Sequence, residues 1–250
     1  MMRVGMAQMY VEGGAPDANL KRACRMIAAA GEQGADAVVL PECLDLGWTH
    51  PCARELAVPV PGPRSDRLIR AARESGVYVA AGLVESARGR IYNSAVLISP
   101  EGDVLLKHRK INELDIALDL YSTGDRLGVA ETPLGRLGIL ICADNFPDSL
   151  HLARSLRHMG CKLLLSPCAW AVDAGHDNAL NPYGELWMSA YGEIARGGMT
   201  VVGVSNVGWL TAGPWAGRKC IGCSLAVGTG GVLAQLPYGE NAEALVMVEV

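Results

Sequence analysis

The chain has 250 residues, of which 50% are apolar and 19% charged, and its formal net charge is −4. Such a chain can bury a large core, which excludes intrinsic disorder, and its length suits a single domain spanning residues 1–250. The basic run 107–110 stands alone in a mildly acidic chain, so the sequence predicts no nucleic-acid partner.

Short apolar runs alternate with helical periodicity through the first 110 residues. The pattern predicts strands at 4–9, 37–40, 77–84, 91–98 and 104–106. Apolar residues recurring every three to four positions predict helices at 20–31 and 65–75.

The second half of the chain continues this alternation. Strands are predicted at 137–141, 162–166, 200–205, 222–227, 232–235 and 244–250. Helices are predicted at 148–158 and 183–196, and 167–182 is expected to be a long loop, a length that usually carries function. The alternation predicts an α/β fold whose sheets are covered by helices on their outer faces.

The sequence contains no signal for a membrane span or for secretion. No run reaches the roughly 18 apolar residues of a membrane span, and residues 1–10 lack a signal-peptide pattern. We therefore expect a cytoplasmic chain with no membrane partner, in which the eight cysteines are free thiols. Cys220 and Cys223 are the only close pair, and two half-buried strand thiols are the favoured interpretation over a zinc site.

Three predicted strands are each followed by a reactive side chain. Glu42 follows the strand 37–40, Lys110 ends the basic run after 104–106, and Cys142 follows 137–141. Because ligands collect beyond the carboxyl ends of strands in α/β sheets, these side chains are candidates for one site. Taken singly, each has a simpler interpretation as a solvated carboxylate, a surface lysine or a packed cysteine.

The order Glu, Lys, Cys, with its flanking segments, resembles the nitrilase or carbon–nitrogen hydrolase superfamily. The matching segments extend along the whole chain and are 38–42, 108–110, 138–148 and the closing hairpin 222–234. The resemblance implies a four-layer αββα sandwich, no cofactor, no metal, and a homodimer or larger homo-oligomer. A motif match is a hypothesis until its structural context is seen.

The resemblance also implies that Glu42, Lys110 and Cys142 are catalytic. Cys142 would attack an amide or nitrile carbon, Glu42 would take the thiol proton and later activate water, and Lys110 with the Ala143 N–H would hold the oxyanion. Ammonia would leave, and water would hydrolyse a thioester on Cys142. We expect a strand-to-helix turn at Cys142, whose helix dipole lowers the thiol pKa.

Three positions depart from the family pattern. Ala143 stands where relatives carry an aromatic residue, in a segment that is one residue shorter than usual. Asn112 occupies the place of a histidine, and Ala117 the place of a second glutamate. Glu113, three residues after Lys110, is the nearest substitute for that glutamate, and a plain loop carboxylate is the alternative.

Several polar and aromatic residues are candidates for contacts with substrate. Glu113 and Ala143 are predicted substrate-binding residues on the grounds given above. The candidates for the pocket lining are Trp48, His50, Asn145, Trp170 and Trp187. For the rings, core packing is an equally good interpretation. The stretch 173–178 holds a histidine and two carboxylates, which turn chemistry explains without a metal.

The sequence leaves the substrate open. The first hypothesis is a hydrolase that releases ammonia from a small linear amide or carbamoyl compound through a cysteine thioester. The second is a true nitrilase, and the third is a catalytically silent binding or regulatory member of the family. The expected partner is accordingly a small-molecule amide or nitrile.

Overall fold

The computed structural model describes all residues 1–250 and contains two six-stranded sheets packed face to face. The strands of the first sheet are β1 (Arg3–Gln8), β2 (Ala37–Val39), β3 (Tyr78–Ala87), β4 (Arg90–Ile98), β5 (Val104–Arg109) and β15 (Ala244–Glu249). Their order is β15-β1-β2-β3-β4-β5, with β1, β2 and β3 parallel to one another. The strand β5 therefore forms one edge of this sheet.

The second sheet is built from the remaining long strands. They are β6 (Val129–Thr132), β7 (Gly135–Ile139), β8 (Leu163–Cys168), β10 (Thr200–Ser205), β13 (Leu225–Gly228) and β14 (Gly231–Gln235). Their order is β14-β13-β10-β8-β7-β6, and β7, β8 and β10 are parallel. A small third sheet joins β9 (Ala171–Val172), β11 (Val207–Trp209) and β12 (Lys219–Ile221).

Helices cover the outer face of each large sheet. The helices are α1 (Pro16–Glu32), α2 (Ala53–Leu56), α3 (Pro63–Ser75), α4 (Leu150–His158) and α5 (Gly184–Arg196). The pair α1 and α3 packs on the first sheet, and α5 packs beside α4 on the second. This arrangement confirms the predicted αββα layers. None of the helices has the length and apolar character needed to cross a membrane.

The strand β2 shows why the central strands have continuous apolar sequences. Val38 packs in the core under α1 and α3, whereas Val39 packs in the core between the two sheets. Successive side chains of a strand point to opposite faces, and here both faces are covered. Both valines are fully buried.

Two predicted elements begin later than expected, because the backbone forms turns where each was predicted to start. The strand predicted at 222–227 begins at Leu225, because Gly222 and Cys223 have positive φ values of 65° and 56° and form a turn. The helix predicted at 148–158 begins at Leu150, after separate 3-10 turns.

Short elements were also absent from the sequence prediction. The predicted loop 167–182 contains the end of β8 and the two-residue β9. The strands β6, β11 and β12 and the single helical turn α2 were not predicted either, because elements of three or four residues are too short to show a period.

Candidate active site

The structure places the three predicted reactive side chains at strand ends between the two large sheets. Glu42 follows β2 and Lys110 follows β5 in the first sheet, while Cys142 follows β7 in the second. The Glu42 N–H donates to the Cys168 carbonyl oxygen at 3.1 Å, which ties the end of β2 to β8 across the interface. The side chains of Glu42 and Lys110 are 1% exposed.

Glu42 and Lys110 form a buried ion pair. Lys110 Nζ lies 2.8 Å from Glu42 Oε1, and Asn93 Nδ2 donates to the same oxygen at 2.6 Å. Burial is the largest single effect and lowers the pKa of Lys110, but the charge of Glu42, its hydrogen bond and the other acidic groups nearby together raise that pKa well above its usual range. Glu42 Oε2 is buried and has no hydrogen-bond partner in the chain. One carboxylate oxygen is thus held by two donors, and the other is a free acceptor.

The thiol of Cys142 is buried beside this pair. Burial, then the neighbouring Cys168 thiol and the charge of Glu42, raise its pKa well above the usual range, against the smaller lowering effect of Lys110. Cys142 opens a four-residue 3-10 turn with a φ of +43° and does not begin an α-helix. The expectation of a helix dipole that lowers the thiol pKa is therefore wrong. The thiol is protonated at rest and needs a base to become a nucleophile.

Asp144 joins the segment of Cys142 to the segment of Lys110. Its carboxylate is buried, and burial raises its pKa, but its hydrogen-bond partners prevail and lower it. Those partners are His108 Nε2 at 2.8 Å and the N–H groups of Ile111 at 3.0 Å, Asn112 at 2.8 Å and Ile141 at 3.0 Å. One side chain thereby fixes both strand ends that carry the reactive groups.

The backbone around Ala143 has an unused donor. The Ala143 N–H donates to no acceptor in the chain, while the Ala143 carbonyl accepts from Asn112 Nδ2 at 2.9 Å. Asn145 Nδ2 donates to Ser166 Oγ at 2.9 Å and also to the Cys142 carbonyl at 3.4 Å. Asn112 and Asn145 therefore brace the turn on both sides.

Glu113 lies next to Lys110. Its Oε2 is 3.7 Å from Lys110 Nζ, and neither carboxyl oxygen has a hydrogen-bond partner in the chain. Burial raises the pKa of Glu113 to about 8, which Lys110 only partly offsets. Glu113 is consequently mostly protonated near pH 7.

Replacing Glu113 by glutamine should remove a pH dependence of stability. With a folded pKa of about 8 against an ordinary 4.5, Glu113 contributes stability that is complete at low pH and is lost as the pH rises through 8. Between about pH 5 and pH 8 the wild-type unfolding free energy should fall relative to Glu113→Gln by on the order of 1 kcal/mol per pH unit. Urea denaturation of both proteins at several pH values measures this. Parallel stability curves would contradict the shifted pKa.

Aromatic rings surround the buried groups. Lys110 Nζ lies 5.8 Å from the centre of the Trp48 ring, and Trp170 stacks on Trp187 with ring centres 4.4 Å apart. Trp48, Trp170 and Trp187 are all buried, and the last two belong to the same buried apolar cluster as Cys142. The structure gives His50 a different contact, because its Nδ1 accepts from the Cys52 N–H at 3.3 Å.

One carboxylate of the segment 173–178 forms an ion pair, since Asp173 lies 3.0 Å from Arg218. No group of three or more His, Cys, Asp or Glu side chains in the structure has the arrangement of a metal site. Cys220 and Cys223 are both free thiols, and burial raises the pKa of each.

Sequence reasoning missed Asn93 and Cys168. Asn93 occupies an inner position of β4 and is fully buried, so a polar residue in an apolar strand was the available signal. Cys168 follows the predicted strand 162–166. Nothing in the sequence marked it as a site residue, because its position beside Cys142 depends on how β7 and β8 pair. In that parallel pairing Ile139 lies opposite Leu165, three residues before each cysteine.

Comparisons with known proteins identify the family of the chain. A family model described as carbon-nitrogen hydrolase matches residues 3–250. An omega-amidase of Xenopus tropicalis is 36% identical over 168 residues, covering 63% of this chain and 60% of the relative. A nitrilase of Pyrococcus abyssi is 36% identical over 174 residues, covering 67% of this chain and 64% of the relative. The alignments thus span less than two thirds of these relatives.

A solved structure is similar over the full chain. An amidase from Nesterenkonia sp. matches with a TM-score of 0.81 at 23% identity, covering 100% of this chain and 90% of that one. At this identity the likeness shows the shared fold.

Proposed function

Because this chain belongs to the carbon–nitrogen hydrolase family, we propose that it hydrolyses a small linear amide or carbamoyl compound and releases ammonia. The observation that carries the proposal is the free acceptor Glu42 Oε2, buried in the site of a protonated thiol. A thiol with a raised pKa is inert unless a base takes its proton, and we assign that role to Glu42. The amidase names of its relatives support the same reaction class.

The proposed reaction proceeds in two stages. Glu42 Oε2 accepts the Cys142 proton as sulfur attacks the carbonyl carbon, and the oxyanion is held by Lys110 Nζ and the Ala143 N–H. Glu42 returns the proton to the departing ammonia, which leaves a thioester on Cys142. Water, deprotonated by Glu42, then cleaves the thioester and frees the acid and the thiol.

The other predicted residues are assigned to substrate binding. Neutral Glu113 has an O–H donor and a free acceptor near Lys110, a match for the donor and acceptor of an amide group. We assign the buried rings of Trp48 and Trp170 to the wall of the substrate pocket, and Asn145 has a buried free Oδ1. Such a site favours short, polar acyl groups.

The proposal is tested by trapping the acyl-enzyme. Incubation with acetamide, propionamide and butyramide should release ammonia, and intact-mass spectrometry should show an acyl adduct that peptide mapping assigns to Cys142. Hydroxylamine should divert the adduct to a hydroxamate, because it competes with water for the thioester. Rates should fall as the acyl chain lengthens.

The same assay separates the other hypotheses. Acetonitrile and propionitrile, tested in parallel, would identify a nitrilase if they react and the amides do not. Binding of amides without ammonia release or an adduct would indicate a silent member of the family. Either outcome would overturn the amidase proposal.

We further propose that residues 1–250 form one domain, that the protein is cytoplasmic and that it assembles as a homodimer. Support for the compartment comes from the eight cysteines, all of which are free thiols. Met159, which directly follows α4, and Leu186 of α5 are each 40% exposed, which favours a partner copy on that side. Sedimentation velocity tests the dimer.

A further inference from the structure

A cleft of about 610 Å³ on the outer face of the first sheet is lined largely by cationic side chains. We call it the outer basic cleft, and its lining residues are Arg88, Arg90, Tyr92, Lys107, Arg109, Asp125 and Arg126. Five cations surround it in a chain whose net charge is −4. The cleft is therefore positively charged, although the protein as a whole carries a net negative charge.

Two of the cations are held in place by a buried carboxylate. Arg109 Nε and Nη2 donate to the two oxygens of Glu85 at 2.8 and 2.7 Å, and Lys107 Nζ lies 2.7 Å from Glu85 Oε1. The Arg109 guanidinium also lies 3.8 Å from the centre of the Tyr92 ring. These contacts fix one wall of the cleft before any ligand arrives.

The remaining cations are not neutralised. Arg88 and Arg90 flank the turn between β3 and β4, are exposed, and have no carboxylate within 4.0 Å. Arg126 has only its neighbour Asp125, at 3.8 Å. Glu85 and Asp125 are the only carboxylates beside these five cations. The cleft therefore has a net excess of three positive charges.

The outer basic cleft lies on the opposite face of the sheet from the candidate active site. On β4 and β5, Tyr92 and Arg109 point outward, and their neighbours Asn93 and Lys110 point inward to Glu42. The cleft is thus separate from the amide site.

We propose that the outer basic cleft binds a small anion bearing phosphate groups. Guanidinium groups bind phosphate oxygens through two parallel hydrogen bonds, and several of them converge here around a concave space. The limited cleft favours a small ligand over nucleic acid, which requires an extended basic face that this chain lacks. Inorganic pyrophosphate and phosphate monoesters both present such phosphate oxygens.

Calorimetric titration with pyrophosphate and, separately, with glycerol 3-phosphate tests the proposal. We expect saturable one-to-one binding that weakens as potassium chloride is added, with the tighter of the two probes identifying the source of the phosphate. The double variant Arg88→Gln/Arg90→Gln should raise the dissociation constant by about tenfold or more, because two charge-assisted contacts are lost.

A second charged cleft supplies a matched control. It has a volume of about 490 Å³ and is lined by Asp66, Ile69, Arg70, Arg73 and Glu74, so its charges balance. Arg70→Gln/Arg73→Gln removes the same charge from the chain and should leave the affinity unchanged. Arg126→Gln provides an independent cleft variant, which should weaken binding even if the double variant fails to fold. Absence of saturable binding, or equal weakening in the control, would overturn the proposal.

Discussion

Replacing Cys142 by alanine is expected to reduce amide hydrolysis by roughly 10⁴-fold or more while the protein stays folded. In the proposed reaction the thioester forms on this sulfur, and the backbone donors that remain cannot supply a nucleophile. The fold should survive because the turn at Cys142 is held by Asp144 and Asn145, whose hydrogen bonds do not involve the thiol. Ammonia release under saturating substrate measures the loss.

Cys24 offers a control of the same residue type. It lies on α1, half-buried, and its thiol contacts the Arg67 carbonyl at 3.7 Å. Cys24→Ala should therefore keep wild-type turnover and still form the acyl adduct. If Cys142→Ala retained substantial hydrolysis, covalent catalysis by this cysteine would be refuted.

Replacing Glu42 by glutamine should lower kcat by about 10²- to 10⁴-fold, the range for loss of a general base. Glutamine is nearly isosteric, and its Oε1 can still accept from Lys110 and Asn93. Its amide nitrogen then occupies the position of Oε2, where a donor replaces the free acceptor. The Cys142 proton has no recipient, so kcat should fall far more than KM changes.

This variant also tests the electrostatics of the site. Removing one partner of a buried ion pair ordinarily costs about 3–5 kcal/mol. Here Glu113 lies 3.7 Å from Lys110, so its ionisation can replace the lost charge and reduce the loss of stability. Thermal unfolding of Glu42→Gln should show a modest shift, and Glu42→Gln/Glu113→Gln a larger one. Turnover by Glu42→Gln within a few-fold of wild type would refute the role of Glu42 as base.

The sequence alone predicted the layers of the fold and the three reactive residues. Apolar runs and helical periods are local consequences of burial, so most of the long strands and helices were found close to their observed positions. Glu42, Lys110 and Cys142 were identified from their order and flanking segments, which are properties of the linear chain. The family assignment rested on the same segments and is confirmed over residues 3–250.

Only the tertiary structure decided the environment of these groups. Which oxygen of Glu42 is free depends on Asn93, which is distant in sequence and reaches it across the first sheet. The raised thiol pKa and the neutral state of Glu113 arise from burial between two sheets, which periodicity does not reveal. Local patterns determine which residues become buried, but the pKa of a buried group depends on charges and donors that other strands bring to it.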